Sequence, residues 1–310
     1  MPLRLTLYLD PDSAAGEDPA SAARQAPAGV GRASPGRTFL CALAEAAGVD
    51  EASLLATPRP FTLSPLLASG GDGRDAAPEA AAARGAAEGA EDAACAPAAR
   101  FRLGVSWLAD PALPRLLHWC QGLSRASLSL EVRGGRFLVR GAAVSSSPVD
   151  PWTRLTTYAR LFAEASDSGR SLTLKFCSPT LLERAGAPYP LPDPTTLFTG
   201  YLESWNAFSG IPLCPRLPGA LAECLRIIHY RIRALPLPGG QSEPTPGFRG
   251  SASFRLEGRH AESTIKGLNV LADFSLYCGT GVGTDQGMGM TRRIFFPASR
   301  ASTSRAGEEL

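Results

Sequence analysis

Apolar and polar residues alternate along the chain in a way that predicts strands separated by helices. Leu3–Leu9 places leucine at every second position, which indicates a strand with one buried face. Read in the same way, the first half of the chain predicts helices at Thr38–Ala47 and Ala112–Gln121, strands at Phe61–Leu67 and Phe101–Leu108, and a strand pair over Ser127–Val139 that turns at Gly134 and Gly135. The predicted order is β-α-β-β-α-β, with the last strand doubled.

The second half of the chain repeats this order after a helix predicted at Trp152–Ala165. Its predicted elements are strands at Leu172–Phe176, Leu225–Leu235, Gly250–Leu256 and Met290–Phe296, and helices at Pro194–Phe208 and Glu262–Tyr277. Two copies of β-α-β-β-α-β predict an α+β fold of two tandem ferredoxin-like domains. We expect the N-terminal domain over residues 1–150, the C-terminal domain over 151–297 and a disordered tail over 298–310.

Two segments interrupt the pattern. Pro11–Pro35 is rich in Ala, Pro, Gly and Asp and is predicted to be a loop. Ala68–Ala99 contains very few apolar residues larger than alanine, so it cannot bury enough surface to offset its ordering entropy. We therefore expect a disordered insertion at about residues 68–99, between the second and third strands.

Charge and residue types exclude several functions. With 31 basic and 29 acidic residues, the net charge of +2 does not by itself indicate nucleic-acid binding. Only Lys175 and Lys266 among the basic residues are lysines, so the other 29 are arginines. No two cysteines form a C-x-x-C pair, and the histidines lie far apart in sequence. We therefore expect neither a metal site nor a cofactor. No apolar run approaches a membrane span, and the N-terminus does not resemble a signal peptide, so we expect a cytoplasmic protein without a membrane partner.

The most specific stretch of the sequence is a glycine-rich segment followed by two arginines. Its glycines are Gly279, Gly281, Gly283, Gly287 and Gly289, and the arginines are Arg292 and Arg293. A glycine-rich backbone can approach a phosphate closely and direct N–H groups towards it, and arginine adds a charged donor fork. A flexible surface loop is the alternative. The order helix, loop, strand is the reverse of a dinucleotide-binding fingerprint, so a nucleotide cofactor is not expected.

A second basic feature lies in the strand that contains His229. Arg231 and Arg233 follow this histidine at period two, which gives one strand face a basic stripe suited to phosphate contact. Arg249 belongs to the same region of local arginine clusters. A solvated sheet face is the alternative interpretation.

Segment Cys278–Arg293 resembles the glycine-rich loop of the CRISPR-associated repeat-processing endoribonucleases, which belong to the RAMP superfamily. Further segments that resemble this family follow in the right order: Phe61–Leu66, Phe176–Thr180, Leu191–Pro194, Ser204–Phe208 and Gly247–Ser251. The resemblance covers Phe61 to Arg293 and implies a tandem ferredoxin-like fold. It also implies binding of CRISPR repeat RNA, as precursor and as mature crRNA, and makes other CRISPR effector subunits candidate partners.

The resemblance further implies metal-independent RNA cleavage within the repeat. In that chemistry a ribose 2′-OH attacks the adjacent phosphate and leaves a 2′,3′-cyclic phosphate. RNA contacts are then expected from the five glycines of the loop, from Arg292 and Arg293, and from Arg249, Arg231 and Arg233.

The histidine that often supplies the base in this family lies in the first helix or just after it, and this sequence has no histidine in either stretch. Candidates near the vacant positions are Arg37, Arg59 and Ser64, with Tyr8 on the first strand. Alternatively, His118 or His229 reaches the site from elsewhere. A third possibility is that catalysis is lost, which would leave an RNA-binding subunit that retains the 3′ handle of the processed guide.

The predicted insertion should be dispensable, because Ala68–Ala99 supplies almost no side chains that could form a core. Replacing it with a short Gly/Ser linker should leave the melting temperature and the affinity for repeat RNA nearly unchanged. A large drop in melting temperature, measured by thermal denaturation, would show that the segment contains a folded element.

Overall fold

The computed structural model describes residues 2–11, 37–68, 101–109, 113–123, 128–132, 135–145, 152–237 and 245–295. The predicted loop, insertion and tail lie outside these ranges, apart from Pro11 and Ala68 at their edges. The elements of the first half are β1 (Leu3–Pro11), α1 (Arg37–Ala47), α2 (Glu51–Leu55), β2 (Phe61–Leu63), β3 (Leu67–Ala68), β4 (Phe101–Trp107), α3 (Leu113–Gly122), β5 (Ser129–Val132) and β6 (Gly135–Ala143).

These strands form one antiparallel sheet in the order β2-β4-β1-β6-β5. The alternation in β1 has the predicted consequence, because Leu3, Leu5, Leu7 and Leu9 are fully buried in a core that includes residues of α1 and α3. The doubled last strand is the β5–β6 hairpin, and β5 lies at the edge of the sheet.

The second half of the chain repeats the arrangement. Its elements are β7 (Arg154–Leu155), α4 (Tyr158–Glu164), β8 (Ser171–Thr180), β9 (Leu182–Arg184), β10 (Ala187–Tyr189), α5 (Pro194–Phe208), α6 (Leu217–Cys224), β11 (Leu225–Leu237), β12 (Thr245–Leu256), α7 (Glu262–Cys278), a 3₁₀ turn (Thr284–Gln286) and β13 (Thr291–Ile294). Four strands pair antiparallel in the order β11-β12-β8-β13, which corresponds to the order of the four matching strands of the first sheet. The prediction of tandem ferredoxin-like domains is confirmed.

The helix predicted at Trp152–Ala165 is shorter than expected. Arg154 and Leu155 instead pair with the start of β1, a central strand of the first sheet, and the helix begins only after Thr157, whose side chain accepts a hydrogen bond from the Arg160 N–H. The sequence interpretation also missed α2, α6 and the β9–β10 hairpin. These elements are short, and short elements carry little periodicity.

Helix α7 is buried along most of its length because it lies between the second sheet and the first domain. On one side, Phe274 packs against Tyr158 and Trp205 with ring centroids 5.8 and 5.4 Å apart. On the other side, Thr62 Oγ1 donates to the Tyr277 carbonyl at 2.9 Å and Arg4 Nη1 donates to the Leu276 carbonyl at 3.1 Å. The polar face of the first sheet therefore packs against the C-terminal end of α7.

Among the helices of the described ranges, none combines the length and the apolar character needed to cross a bilayer.

Candidate nucleic-acid interface

The face of the second sheet opposite α5 and α7 carries a row of polar and charged residues. In the strand registers, Arg292 pairs with Lys175, Lys175 pairs with Ser251, and Ser251 pairs with Arg231. Residues directly opposite one another on paired strands point to the same side of a sheet. The row therefore crosses all four strands on one face, which we call the open face.

Neighbouring rows extend this open face. Arg233 pairs with Arg249 on one side of the first row, and His229 pairs with Ser253 on the other side. Ser253 pairs in turn with Thr173, and the two hydroxyl groups lie 2.8 Å apart. The structure thus brings together four of the arginines predicted to contact RNA, namely Arg231, Arg233, Arg249 and Arg292.

Lys175 was missed in the sequence, although a signal was available. In β8, Leu172, Leu174 and Phe176 are buried in the core and alternate with Thr173, Lys175 and Cys177. That alternation could have placed Lys175 on the polar face. Its position opposite Arg292, however, depends on the pairing of β8 with β13, which the sequence of either strand alone does not reveal.

Arg293 lies on the other face of the sheet from Arg292. Its guanidinium donates to Asn269 Oδ1 at 2.7 Å and lies 3.3 Å from Asp273 Oδ1, and its side chain is only 10% exposed. Burial raises the pKa of Asp273, and the charge of Arg293 opposes that shift. Two consecutive arginines thus have different environments: Arg292 faces the open side, whereas Arg293 pairs with helix α7.

The glycine-rich loop is folded tightly against the rest of the protein. All five of its glycines have positive φ values between 66° and 81°. A Cβ atom on Gly281 would lie 2.1 Å from the Leu181 carbonyl oxygen, and one on Gly289 would lie 2.0 Å from the Thr280 carbonyl oxygen. These two glycines are therefore required by the approach of the protein's own backbone.

Hydrogen bonds within the protein use several N–H groups of this loop. The N–H of Val282 donates to the Leu181 carbonyl and that of Gly289 to the Pro179 carbonyl, each at 2.9 Å. A buried hydroxyl chain supports the same region, with Tyr201 Oη 2.5 Å from Thr280 Oγ1, which donates to Thr291 Oγ1 at 2.7 Å. Burial raises the pKa of Tyr201, which keeps this hydroxyl protonated.

The loop also contacts the first domain. A Cβ atom on Gly287 would lie 2.9 Å from the Ser64 carbonyl oxygen, and Asp285 Oδ2 lies 3.4 Å from Arg59 Nη2. This ion pair lies in a cleft of about 800 Å³ between the loop, α5 and the β9–β10 hairpin. Arg184 lines the same cleft, together with several hydroxyl-bearing side chains such as Thr196.

The four candidates for catalysis lie in different environments. Arg59 lines the cleft beside Asp285, and Arg37 is the first residue of α1. Ser64 is buried, donates to the Pro65 carbonyl at 2.8 Å and accepts from the Gly104 N–H at 2.7 Å. Tyr8 is buried on the polar face of the first sheet, opposite Arg102 on β4. Their roles in catalysis stay predictions.

The histidines are dispersed. His118 is exposed on α3, His229 is exposed on the open face, and His260 Nε2 lies 2.6 Å from the Glu257 carbonyl oxygen. Across the described ranges, no group of three or more His, Cys, Asp or Glu side chains is arranged to hold a metal ion.

Comparison with known proteins links this architecture to a family. Residues 174–291 match the family described as the CRISPR-associated endoribonuclease Cas6. The resemblance inferred from the sequence is confirmed. The matched segment runs from β8 to the start of β13 and so contains both the open face and the glycine-rich loop. No curated protein sequence matches the chain.

Solved Cas6 structures share the fold over nearly the whole chain. A Cas6 product complex has a TM-score of 0.63 at 23% identity, over 95% of this chain and 99% of that one. A second Cas6 product complex has a TM-score of 0.64 at 22% identity, over 95% and 100% of the two chains. Cas6 of Thermus thermophilus has a TM-score of 0.62 at 20% identity, over 95% and 98%. At these identities the likeness concerns the fold.

Replacing Gly281 with alanine should destabilise the protein by about 1–3 kcal/mol, because the residue has φ +74° and its Cβ would collide with the Leu181 carbonyl. The matched control is Gly200→Ala in helix α5, where a Cβ meets nothing within 4 Å. That change should stabilise the protein by about 0.5–1 kcal/mol. Urea denaturation of both variants measures the difference, and equal stabilities would contradict the packing argument.

Proposed function

We propose that this protein binds CRISPR repeat RNA and cleaves precursor transcripts within the repeat. The family match over residues 174–291 supports this assignment. The observation that carries it is the cross-strand row Arg292–Lys175–Ser251–Arg231, extended by the Arg233–Arg249 pair. These residues form a broad cationic surface on a sheet face that the helices of its own domain leave uncovered.

The spacing of the cations suits a nucleic-acid backbone. Residues two apart on a strand are separated by about 6.8 Å, and neighbouring strands by about 4.8 Å. Arg231 and Arg233 on β11 can therefore contact successive phosphates of one RNA strand. Arg249 adds a cation from the adjacent strand β12, and Lys175 adds one from β8, the next strand along. Neutralising phosphates with these side chains releases counterions, so the affinity should depend strongly on salt.

For the cleavage step, we place the scissile phosphate in the cleft that contains Arg59. The ribose 2′-OH loses its proton to water as its oxygen forms a bond to phosphorus, the bond from phosphorus to the 5′-oxygen breaks, and that oxygen takes up a proton from water. Negative charge builds on the phosphate oxygens, and a guanidinium placed beside them stabilises it. Arg59 supplies that group once the phosphate replaces Asp285 as its partner.

The second candidate function is a repeat-RNA-binding subunit with weak or no catalysis, associated with other CRISPR effector subunits. The state of Ser64 favours it: the hydroxyl is buried and already both donates and accepts a hydrogen bond. All three histidines, His118, His229 and His260, also lie outside the set of residues that line the Arg59 cleft. Both functions require the same RNA-binding surface.

The two consecutive arginines give a direct test of RNA binding at the open face. Arg292→Ala should weaken binding of repeat RNA at every sequence and lower the slope of log affinity against log salt by about one unit. Arg293→Ala should instead leave the slope unchanged and cost about 1–3 kcal/mol of stability, because it removes the buried partner of Asp273 and Asn269. Fluorescence anisotropy at several salt concentrations, with thermal melts, measures both effects. The reverse pattern would place RNA on the α7 side of the sheet.

The cleavage chemistry predicts independence from metal ions and dependence on one 2′-OH. Purified protein should cut repeat RNA in EDTA, and a single 2′-deoxy substitution 5′ of the scissile phosphate should abolish cutting while binding persists. The rate should keep rising towards alkaline pH without a protonation step near pH 6–7, since no histidine is assigned as the base. Mapping of product ends and single-turnover rates across pH test this.

A bell-shaped pH profile lost on mutating His118 or His229 would identify that histidine as the proton carrier. A strict need for added magnesium would contradict the mechanism. Binding without cleavage under all conditions would favour the second candidate function.

A further inference from the structure

Helix α5 forms one wall of the Arg59 cleft, and this wall contains a glycine that the packing of the protein does not require. Gly200 lies in the middle of α5, is exposed and lines the cleft. A Cβ atom at this position would meet nothing within 4 Å. Glycine is the least favourable residue in a helix after proline, so the fold itself gains nothing from it here. The cleft does gain, because a helix without a side chain at this point presents a flat wall that a planar group can approach closely.

The charged side chains of the cleft divide it into two parts. Arg59 and Asp285 pair with each other on the side of the first domain. The opposite part, which includes Gly200, is lined by Glu183, Arg184 and Glu203, and we call it the α5 side. Two carboxylates and one guanidinium repel a phosphate more than they attract it, and carboxylates only accept hydrogen bonds. The α5 side therefore suits a neutral group that carries N–H donors.

Arg184 is held at the cleft by the β9–β10 hairpin. Its guanidinium carbon lies 5.8 Å from the centroid of the Tyr189 ring on the paired strand. The hairpin is anchored at its base, because Leu182 is buried in the core of the second domain and the Leu181 carbonyl accepts from the Val282 N–H. Bases of single-stranded RNA stack on guanidinium planes as they do on aromatic rings. Arg184 therefore provides a planar platform at the α5 side.

We infer that the α5 side is a pocket for one unpaired nucleobase, that of the nucleotide next to the phosphate held at Arg59. The base stacks on Arg184, lies against α5 at Gly200 and donates its amino group to Glu183 or Glu203. A cleft of about 800 Å³ lies within the range of small-molecule sites and can hold a base beside a phosphate. Uracil fits less well than the other bases, because its edge presents two carbonyl oxygens to the carboxylates. The inference rests on the proposed function, which supplies the RNA.

Two helix glycines provide a matched pair of variants. Gly219 in α6 also has nothing within 4 Å of a Cβ atom, and it lies outside the cleft lining. Leucine is a good helix former, so Gly200→Leu and Gly219→Leu should both fold with melting temperatures no lower than that of the unmodified protein. Gly200→Leu fills the pocket and should weaken repeat-RNA binding about tenfold, which is the usual contribution of one stacked base. Gly219→Leu should bind like the unmodified protein, and Gly200→Ala should show a smaller loss than Gly200→Leu.

A set of repeat RNAs, each with one abasic nucleotide, identifies the base that enters the pocket. In the unmodified protein and in Gly219→Leu, the abasic change next to the scissile phosphate should lower the affinity about tenfold, measured by fluorescence anisotropy. In Gly200→Leu the same change should lower it less than twofold, because the pocket is already closed. Such non-additivity shows that the residue and the base interact. At this coupled position, uracil should bind the unmodified protein about threefold more weakly than a base with an amino group.

The outcomes separate this inference from the proposed function. Equal RNA binding by Gly200→Leu and Gly219→Leu, or abasic effects that are the same in both variants, would overturn the pocket and leave the proposed function standing. Equal affinity for uracil and the amino-bearing bases at the coupled position would overturn the contact with Glu183 or Glu203. No binding of repeat RNA by the unmodified protein would reject the proposed function, and the pocket with it.

Discussion

The arrangement of the two domains depends on the C-terminal end of helix α7. The last carbonyl groups of a helix have no partner within it, and they carry partial negative charge. Here Leu276 and Tyr277 offer these carbonyls to Arg4 and Thr62 of the first sheet. These two hydrogen bonds give partners to carbonyls at the end of the helix and hold the polar face of the first sheet against it. They also fix the position at which the glycine-rich loop begins. Any surface built from both domains depends on this contact.

The glycine-rich loop shows why a sequence motif can be recognised before its physical reason is known. Its spacing supports the family resemblance, and its glycines were expected to approach an RNA backbone. In the structure, Gly281 and Gly289 approach carbonyl groups of the protein itself, and Gly287 lies against Ser64. These contacts join the end of β8, the start of β13 and the first domain. The loop thereby holds Arg292 and Asp285 in place, and direct contact between its backbone and RNA stays a prediction.

Much of the fold could be predicted because strand alternation and element order are local properties. Period two in β1 gave the buried leucines, and the repeated order gave both domains. The shared face of His229, Arg231 and Arg233 followed from the same rule. What the sequence could not provide is register: the pairing of Lys175 with Arg292 and of Arg233 with Arg249 joins residues far apart in the chain. Because side chains alternate between the two faces of a strand, Arg292 and Arg293 lie on opposite faces of β13. Applying this rule to the sequence would have predicted their different environments.

The chemistry of the open face indicates how such a surface discriminates among ligands. The side chains named on this face of β8, β11, β12 and β13 are cations, hydroxyls, one cysteine and one histidine, together with Ile294, which lies opposite Thr173. The imidazole of His229 is the one aromatic ring among them. Stacking on aromatic rings is how many sheet surfaces hold unpaired bases, whereas cations and hydroxyls contact phosphate and ribose. Most of this face is therefore suited to hold an RNA backbone in a defined path, and His229 is the named side chain on which a base could stack. Selectivity for a particular repeat must then come from the shape of the RNA, from base contacts at His229 or from contacts beyond the open face, because phosphate contacts fix position and carry no sequence information.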